Sequence, residues 1–198
     1  MPALTADTRL TSGIPLFRNF FRNDGVATAL HMVNAIMERI DPDYVRSHRE
    51  LKKTVLEGDK GYFLKQNPSA WPGIAIHYNQ LQTKVHFDNK SLYSGFDVIN
   101  PWGPFKECIL VFPDLGISLP IEPGDVVFLR GAALRHWAKK WEGNGRMVLV
   151  PFVDRRLFGA ERVARPCSFR RLYGSGYNDL RQKFPAAELS DILKNARC

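Results

Sequence analysis

Cys108-Ile109-Leu110-Val111-Phe112 is an unbroken apolar run, closed by the turn residues Pro113-Asp114-Leu115-Gly116. A second turn signal extends from Pro120 through Gly124-Asp125 and opens onto Val126-Val127-Phe128-Leu129. Short apolar runs bounded by Pro and Gly read as buried β-strands. Ile74–Tyr78, Thr83–Phe87, Leu134–Lys139 and Arg146–Phe152 have the same texture. The N-terminal third reads differently. Val26, Ala29, Leu30, Val33, Ile36, Met37 and Ile40 recur every three or four residues, one face of a helix with Asp24 as N-cap. A second helix is predicted from Pro42 to Gly58, with Tyr44, Val45, Leu51 and Val55 on its apolar face. Helices followed by short strands at roughly ten-residue spacing predict an α+β chain with a mainly β core. The expected architecture is an antiparallel sandwich or jelly roll with the N-terminal helices packed outside.

Composition is compatible with this. A length of 198 residues, 44% apolar and 24% charged, fits one globular domain and excludes collagen-like, coiled-coil and wholly disordered chains. Three regions follow within a single domain 1–198: helical support over 1–70, a strand-rich core over 71–154, and a basic extension over 155–198. No apolar run nears the ~18–20 residues of a membrane span, the longest being Met147 to Val153. Met1 to Ile14 carry no basic stretch followed by an apolar one, so the expectation is a cytoplasmic or nuclear chain, not secreted, with no membrane partner. Three widely spaced cysteines, Cys108, Cys167 and Cys198, exclude a disulfide scaffold and a thiolate zinc site.

Charge is concentrated at one end. Residues 155–198 hold ten Lys and Arg against four Asp and Glu, a net of +6 out of +8 for the whole chain. A basic extension suits a polyanion such as nucleic acid, although a solvated arginine-rich surface has the same composition. The extension reads as short helices over Asn178–Phe184 and Ala186–Ala196.

Three residues of the strand-rich half form a candidate metal site. His86 and Asp88 stand two apart, which on a strand puts both side chains on one face. His136, fifty residues later on another strand, would complete the set. Two imidazoles and one carboxylate leave coordination positions open, as in non-haem Fe(II) oxygenases, whereas a structural zinc site wants four ligands. A His-x-Asp spacing alone is weak, with about 0.3 expected by chance from five His and twelve Asp. Arg146 strengthens it. Gly143-Asn144-Gly145 reads as a three-residue hairpin loop with Gly145 left-handed, pairing Glu142 with Arg146 and turning His136 and Arg146 to the same inward face.

These residues resemble the Fe(II)/2-oxoglutarate-dependent dioxygenases. The resemblance covers about residues 74–154 and is carried by His86-Phe87-Asp88, Leu110 to Gly116, Pro123 to Phe128, His136, and Gly145 to Val150. It is nearest to the branch of TET and base-J-type nucleobase dioxygenases with their small fungal relatives. The sequence has no counterpart of the cysteine-rich zinc-binding region of animal TET enzymes. The resemblance implies a double-stranded β-helix, with His86, Asp88 and His136 as iron ligands and Arg146 on the distal carboxylate of 2-oxoglutarate. It implies hydroxylation or further oxidation of a C–H bond by O2, releasing succinate and CO2. The implied substrate is a methylated pyrimidine in nucleic acid. The alternatives are a small metabolite of a biosynthetic oxygenase, or a non-catalytic β-sandwich that binds nucleic acid or protein.

Further candidates follow. Tyr78 and Asn79, ahead of His86, are placed to hydrogen-bond 2-oxoglutarate. Tyr93 and Trp102 fall in Ser91–Phe105, read as a long loop able to cover the site and stack a base. Arg130 and Arg135 flank the path to His136, with Arg130 the candidate for substrate. Asp114 and Asp125 read as turn residues, and Phe87 and Trp137, alternating with the ligands, as core.

Overall fold

The structure is a computed structural model that describes residues 19–57, 67–93 and 95–163. The expected helices beyond residue 163, Cys167, Cys198 and most of the basic extension lie outside these residues. The described chain divides into two compact units, residues 19–72 with 155–163, and Gly73–Asp154.

The first unit is helical. Helix α1 spans Asp24–Ile40, α2 Pro42–Glu57 and α3 Arg155–Ala160. The N-cap of α1 is Asn23 rather than Asp24: the Asn23 side chain accepts from the Val26 N–H at 3.2 Å. Asp24 instead places its charge in the first turn, where the helix dipole favours an anion. Ala29, Leu30, Val33 and Met37 are buried as the periodicity predicts, while Ile36 and Ile40 remain exposed. Asp41 caps α2 by accepting from the Tyr44 N–H at 3.0 Å. The 67–71 segment is pinned to these helices by Asn34, which donates to the Pro68 carbonyl and accepts from the Ala70 N–H. Lys52 adds donations to the carbonyls of Asn67 and Ser69. His48 lies fully buried against Tyr44, Trp71 and Phe158, its Nδ1 on the Tyr44 carbonyl at 2.9 Å. Desolvation there holds its pKa down to about 4.

Among the described residues the second unit holds nine strands in three sheets, all antiparallel. They are β1 Gly73–Tyr78, β2 Asp97–Trp102, β3 Phe105–Lys106, β4 Cys108–Phe112, β5 Ile117–Ile121, β6 Val127–Leu129, β7 Trp137–Ala138, β8 Glu142–Gly143 and β9 Met147–Phe152. The sheets run β1-β9-β2-β6, β5-β4-β7 and β3-β8. The α+β class and the antiparallel pairing agree with the sequence reading. A shared core forms from Phe105, Cys108, Leu110, Phe112, Ile121, Leu129 and Trp141, flanked by Ile99, Val127 and Leu134. Phe105 meets Trp141 edge-on, and the indole N–H donates to the Gln80 carbonyl at 2.8 Å. That bond satisfies the ring's polar atom in the core.

Four expectations need correction. Ser91–Phe105 is no simple loop, because Asp97–Trp102 forms β2, flanked on its two sides by β9 and β6. Asn100-Pro101 disguises it, yet the Asn100 amide donates to the Asp125 carbonyl and accepts from the Trp102 indole. Thr83–Phe87 is not a strand: it bends at Val85 and makes a single bridge, at His86. The Glu142–Arg146 hairpin is absent. β8 pairs with β3, β9 pairs with β1 and β2, and the left-handed residue is Gly143 at φ 126°. There a Cβ would come within 2.3 Å of the Pro104 carbonyl oxygen, so the close passage of the two chains, more than a hairpin, requires the glycine. Phe87, expected in the core, is 40% exposed. No described helix is long and apolar enough to cross a membrane.

Candidate metal centre

His86 and His136 are brought together by a backbone exchange. The His86 N–H donates to the His136 carbonyl at 3.1 Å, and the His136 N–H returns to the His86 carbonyl at 3.0 Å. Directly opposed residues in such a pair project to the same face; the ring centroids are 4.4 Å apart. Two residues on, the Asp88 N–H donates to the Gly131 carbonyl at 2.9 Å, and the intervening 130–134 stretch is taken up by a turn. The carboxylate therefore returns between the two rings. Asp88 Oδ1 lies 3.6 Å from His86 Nε2, and Oδ2 lies 3.5 Å from His136 Nε2.

The tautomers are set by the backbone. His86 Nδ1 lies 2.7 Å from the Lys84 carbonyl, and His136 Nδ1 lies 3.0 Å from that of Leu134. A carbonyl only accepts, so each Nδ1 carries a proton, which leaves Nε2 as the ring nitrogen able to ligate. Burial keeps His136 in its neutral form, lowering its pKa. Ligand-type atoms of His86, Asp88 and His136 lie within 4.8 Å of one another. Two oriented imidazoles and an anionic oxygen fit a divalent cation, with second partners already fixing the rings.

The three open onto a cavity of about 340 Å³, of the size that holds small ligands. Ile99, Leu110, Ile121, Ala138, Val148 and Val150 make the aliphatic part of its wall, and nine of the sixteen lining residues, the three candidate ligands and Lys84 among them, are polar or charged. Arg146 also lines it, and is 7% exposed. Its guanidinium stands 5.6 Å over the Phe105 ring, and its buried Nε makes no hydrogen bond. Burial pulls its pKa down, a sign of how poorly the cation is solvated. A buried guanidinium lining a cavity can receive an anion, best a carboxylate that meets its fork.

The other sequence candidates fall in varied places. Asn79, left-handed at φ 51°, bonds the backbone of Arg146 in both directions rather than lining the cavity. Tyr78 is 73% exposed at the end of β1. Tyr93 is half-buried, the Trp102 indole N–H donates to Asn100, and Arg130 stacks 5.0 Å over Phe96. Among the described residues none of these five lines the cavity. Arg135 is paired with Asp114, whose carboxylate accepts from its backbone N–H and its Nε, and Asp125 accepts from the Glu122 N–H as a turn aspartate should.

Five polar residues of the cavity, His77, Gln80, Thr83, Lys84 and Asp97, are not among the sequence candidates. His77 sits on β1 opposite Val148, and desolvation, then the charge of Arg146, lowers its pKa. The signal was available as a polar residue alternating with Ala75 on one strand face. Asp97, 3% exposed at the head of β2, also lines the cavity. Burial, then the neighbouring Asp88 charge, raises its pKa far above the carboxylate range. Nothing in its local sequence marks it.

No family model and no curated protein matches this chain. Among solved structures it resembles NgTET1 in complex with 5mC DNA, with a TM-score of 0.55 at 21% sequence identity. The match covers 76% of this chain and 55% of that one, so this chain spans about half of its length. It is a likeness of fold.

Proposed function

We propose that this protein is a non-haem Fe(II)- and 2-oxoglutarate-dependent dioxygenase with a double-stranded β-helix core. The observation that carries the reading is Arg146, a buried cation without a hydrogen-bond partner for its Nε, opening on the same cavity as a two-histidine, one-carboxylate cluster. The three-ligand cluster alone would suit several metals; the added anion receptor selects a diacid cosubstrate. The fold likeness to NgTET1 supports this choice.

On this reading His86 and His136 hold iron through Nε2, and Asp88 supplies the neutralising carboxylate. With 2-oxoglutarate and O2, the bound iron supplies an oxidant able to attack an unactivated C–H bond, succinate and CO2 being released. The protein's part is binding, orientation and exclusion of water. Lys84 and Leu134 fix the imidazole tautomers through their carbonyls. Arg146 grips the distal carboxylate of 2-oxoglutarate, and Asn79 holds Arg146 in place. Burial of Arg146 beside the aliphatic part of the wall strengthens the guanidinium–carboxylate attraction.

The substrate we assign is a methylated pyrimidine in nucleic acid. The basic stretch 155–198 and a fold neighbour solved with 5mC DNA support it. Tyr78, Tyr93, Trp102 and Arg130, standing outside the cavity wall, are then contacts for a bulky substrate beyond the mouth. The test is succinate release from 2-oxoglutarate under O2, screened across oligonucleotides, nucleosides and small metabolites. Turnover of a 5-methylcytosine oligonucleotide, with binding that falls steeply as salt rises, is expected. Turnover of free metabolites alone would move the protein to biosynthetic oxygenation, and absence of succinate with Fe(II) bound would leave a non-catalytic sandwich.

A further inference from the structure

Asp88 presents its two oxygens to two different imidazoles, Oδ1 to His86 and Oδ2 to His136. An aspartate carboxylate turns easily about its last side-chain bond, and this side chain is 32% exposed, so something must hold the plane. Two neighbours do. Gly131 lies against it so closely that a Cβ there would come 2.1 Å from Asp88 Oδ2 and 2.6 Å from Asp97 Oδ2. Asp97 Oδ2 borders the same narrow space over Gly131 as Asp88 Oδ2, and Asp97 is itself locked. The buried Ser91 hydroxyl donates to Asp97 Oδ1 at 2.8 Å, while the Ser91 N–H donates to the Asp88 carbonyl at 2.8 Å. Ser91 thus ties the backbone of one acid to the side chain of the other, and leaves Asp97 Oδ2 turned to the ligand.

We propose that Asp97, oriented by Ser91, is the positioning residue of the metal centre, holding the Asp88 carboxylate edge-on between His86 and His136. The inference rests on the metal reading above and names a residue outside the ligand set. Asp97 offers no atom within the cluster of three and acts through Asp88. Its place at the head of β2, in register with Leu129 of β6, makes it a rigid anchor for the ligand on a segment that forms no strand of its own. Partners of this kind commonly change metal affinity by about 10–100-fold when removed.

The experiment titrates the purified full chain with Co(II), reading the dissociation constant and the visible absorption of the bound ion. Asp97→Asn keeps an oxygen for Ser91 and offers an N–H to Asp88; it is expected to bind within about threefold of the original with the same spectrum. Asp97→Ala is expected to weaken binding by about 10–100-fold and alter the spectrum. Ser91→Ala, which leaves both acids in place, is expected to weaken binding by a few fold, and decides the matter should Asp97→Ala fail to fold. Folded Asp97→Ala or Ser91→Ala protein with unchanged affinity and spectrum overturns the proposal, as does Asp97→Asn behaving like Asp97→Ala. Failure of the unsubstituted chain to bind Co(II) would instead strike the metal reading itself.

Discussion

Asn79 and Arg146 exchange hydrogen bonds across the end of β1: the Arg146 N–H donates to Asn79 Oδ1 at 2.9 Å, and the Asn79 N–H donates to the Arg146 carbonyl at 2.8 Å. The second is backbone to backbone and survives substitution; the first does not. Asn79→Gly removes the acceptor without strain at φ 51°. Loss of one such bond, worth about 1 kcal/mol, should raise the KM for 2-oxoglutarate by up to about fivefold, with kcat nearly unchanged. Steady-state succinate release measures both constants. An unaltered KM would detach Asn79 from the cosubstrate site.

Arg146 itself separates stability from function. A buried cation short of partners costs folding energy, so Arg146→Met, similar in length and uncharged, should leave the unliganded protein as stable as before or more so. What it should lose is the response to cosubstrate. With Co(II) present, 2-oxoglutarate at 100 times its Kd should stabilise the original chain by about 2.7 kcal/mol. Arg146→Met should show almost none of this in thermal melts. Equal melting shifts in the two proteins would remove Arg146 from the proposed site.

The sequence was most readable where packing alone decides structure. Cys108–Phe112 forms β4 with the bounds read from its aliphatic run, and Arg146–Phe152 forms β9 to within one residue. Cys108, Leu110 and Phe112 of β4 are buried in alternation, and β9 is a continuous apolar run, so each leaves a local pattern. β2 escaped because Asn100-Pro101 mimics a turn, and its polar amide is satisfied by partners 25 residues away and two residues away. The convergence of His136 and Arg146 was anticipated through a hairpin that does not exist. They meet on one cavity although the strands that follow them, β7 and β9, belong to different sheets. Asp97 could not be found locally, since its role depends on a ligand nine residues earlier and a glycine on a distant turn.

Gly131 illustrates that last dependence and is directly testable. No positive φ demands glycine here; the demand is space, because a methyl group would overlap the Asp88 carboxylate at 2.1 Å. Gly131→Ala should therefore push Asp88 out of line with the imidazoles and weaken Co(II) binding at least about tenfold. Circular dichroism should stay that of the folded chain, since the turn's own hydrogen bonds to Arg130 are backbone ones. Wild-type affinity in this variant would mean that the ligand carboxylate tolerates displacement.

His48, in the helical unit, sets a pH limit on stability. The unfolded imidazole titrates near 6.5, and the buried one, penalised by desolvation, near 4. Between those values the unfolded chain takes up a proton that the folded chain refuses. Its contribution to stability is complete above pH 6.5 and is lost as pH falls toward 4. Below that, both states are protonated and the loss stops growing. The gap between 6.5 and 4 corresponds to about 3 kcal/mol for a fully buried ring. Carboxylates elsewhere titrate over the same interval, so the contribution has to be read as a difference between two proteins. His48→Phe keeps an aromatic ring against Tyr44, Trp71 and Phe158 and cannot ionise. It forfeits the bond to the Tyr44 carbonyl at every pH, about 1 kcal/mol. Urea unfolding should therefore show the variant somewhat weaker than the original at pH 7.5 and the more stable of the two at pH 4.5, the sign reversing between them. Parallel stability curves from pH 7.5 to 4.5 would show that the imidazole reaches solvent in the folded chain.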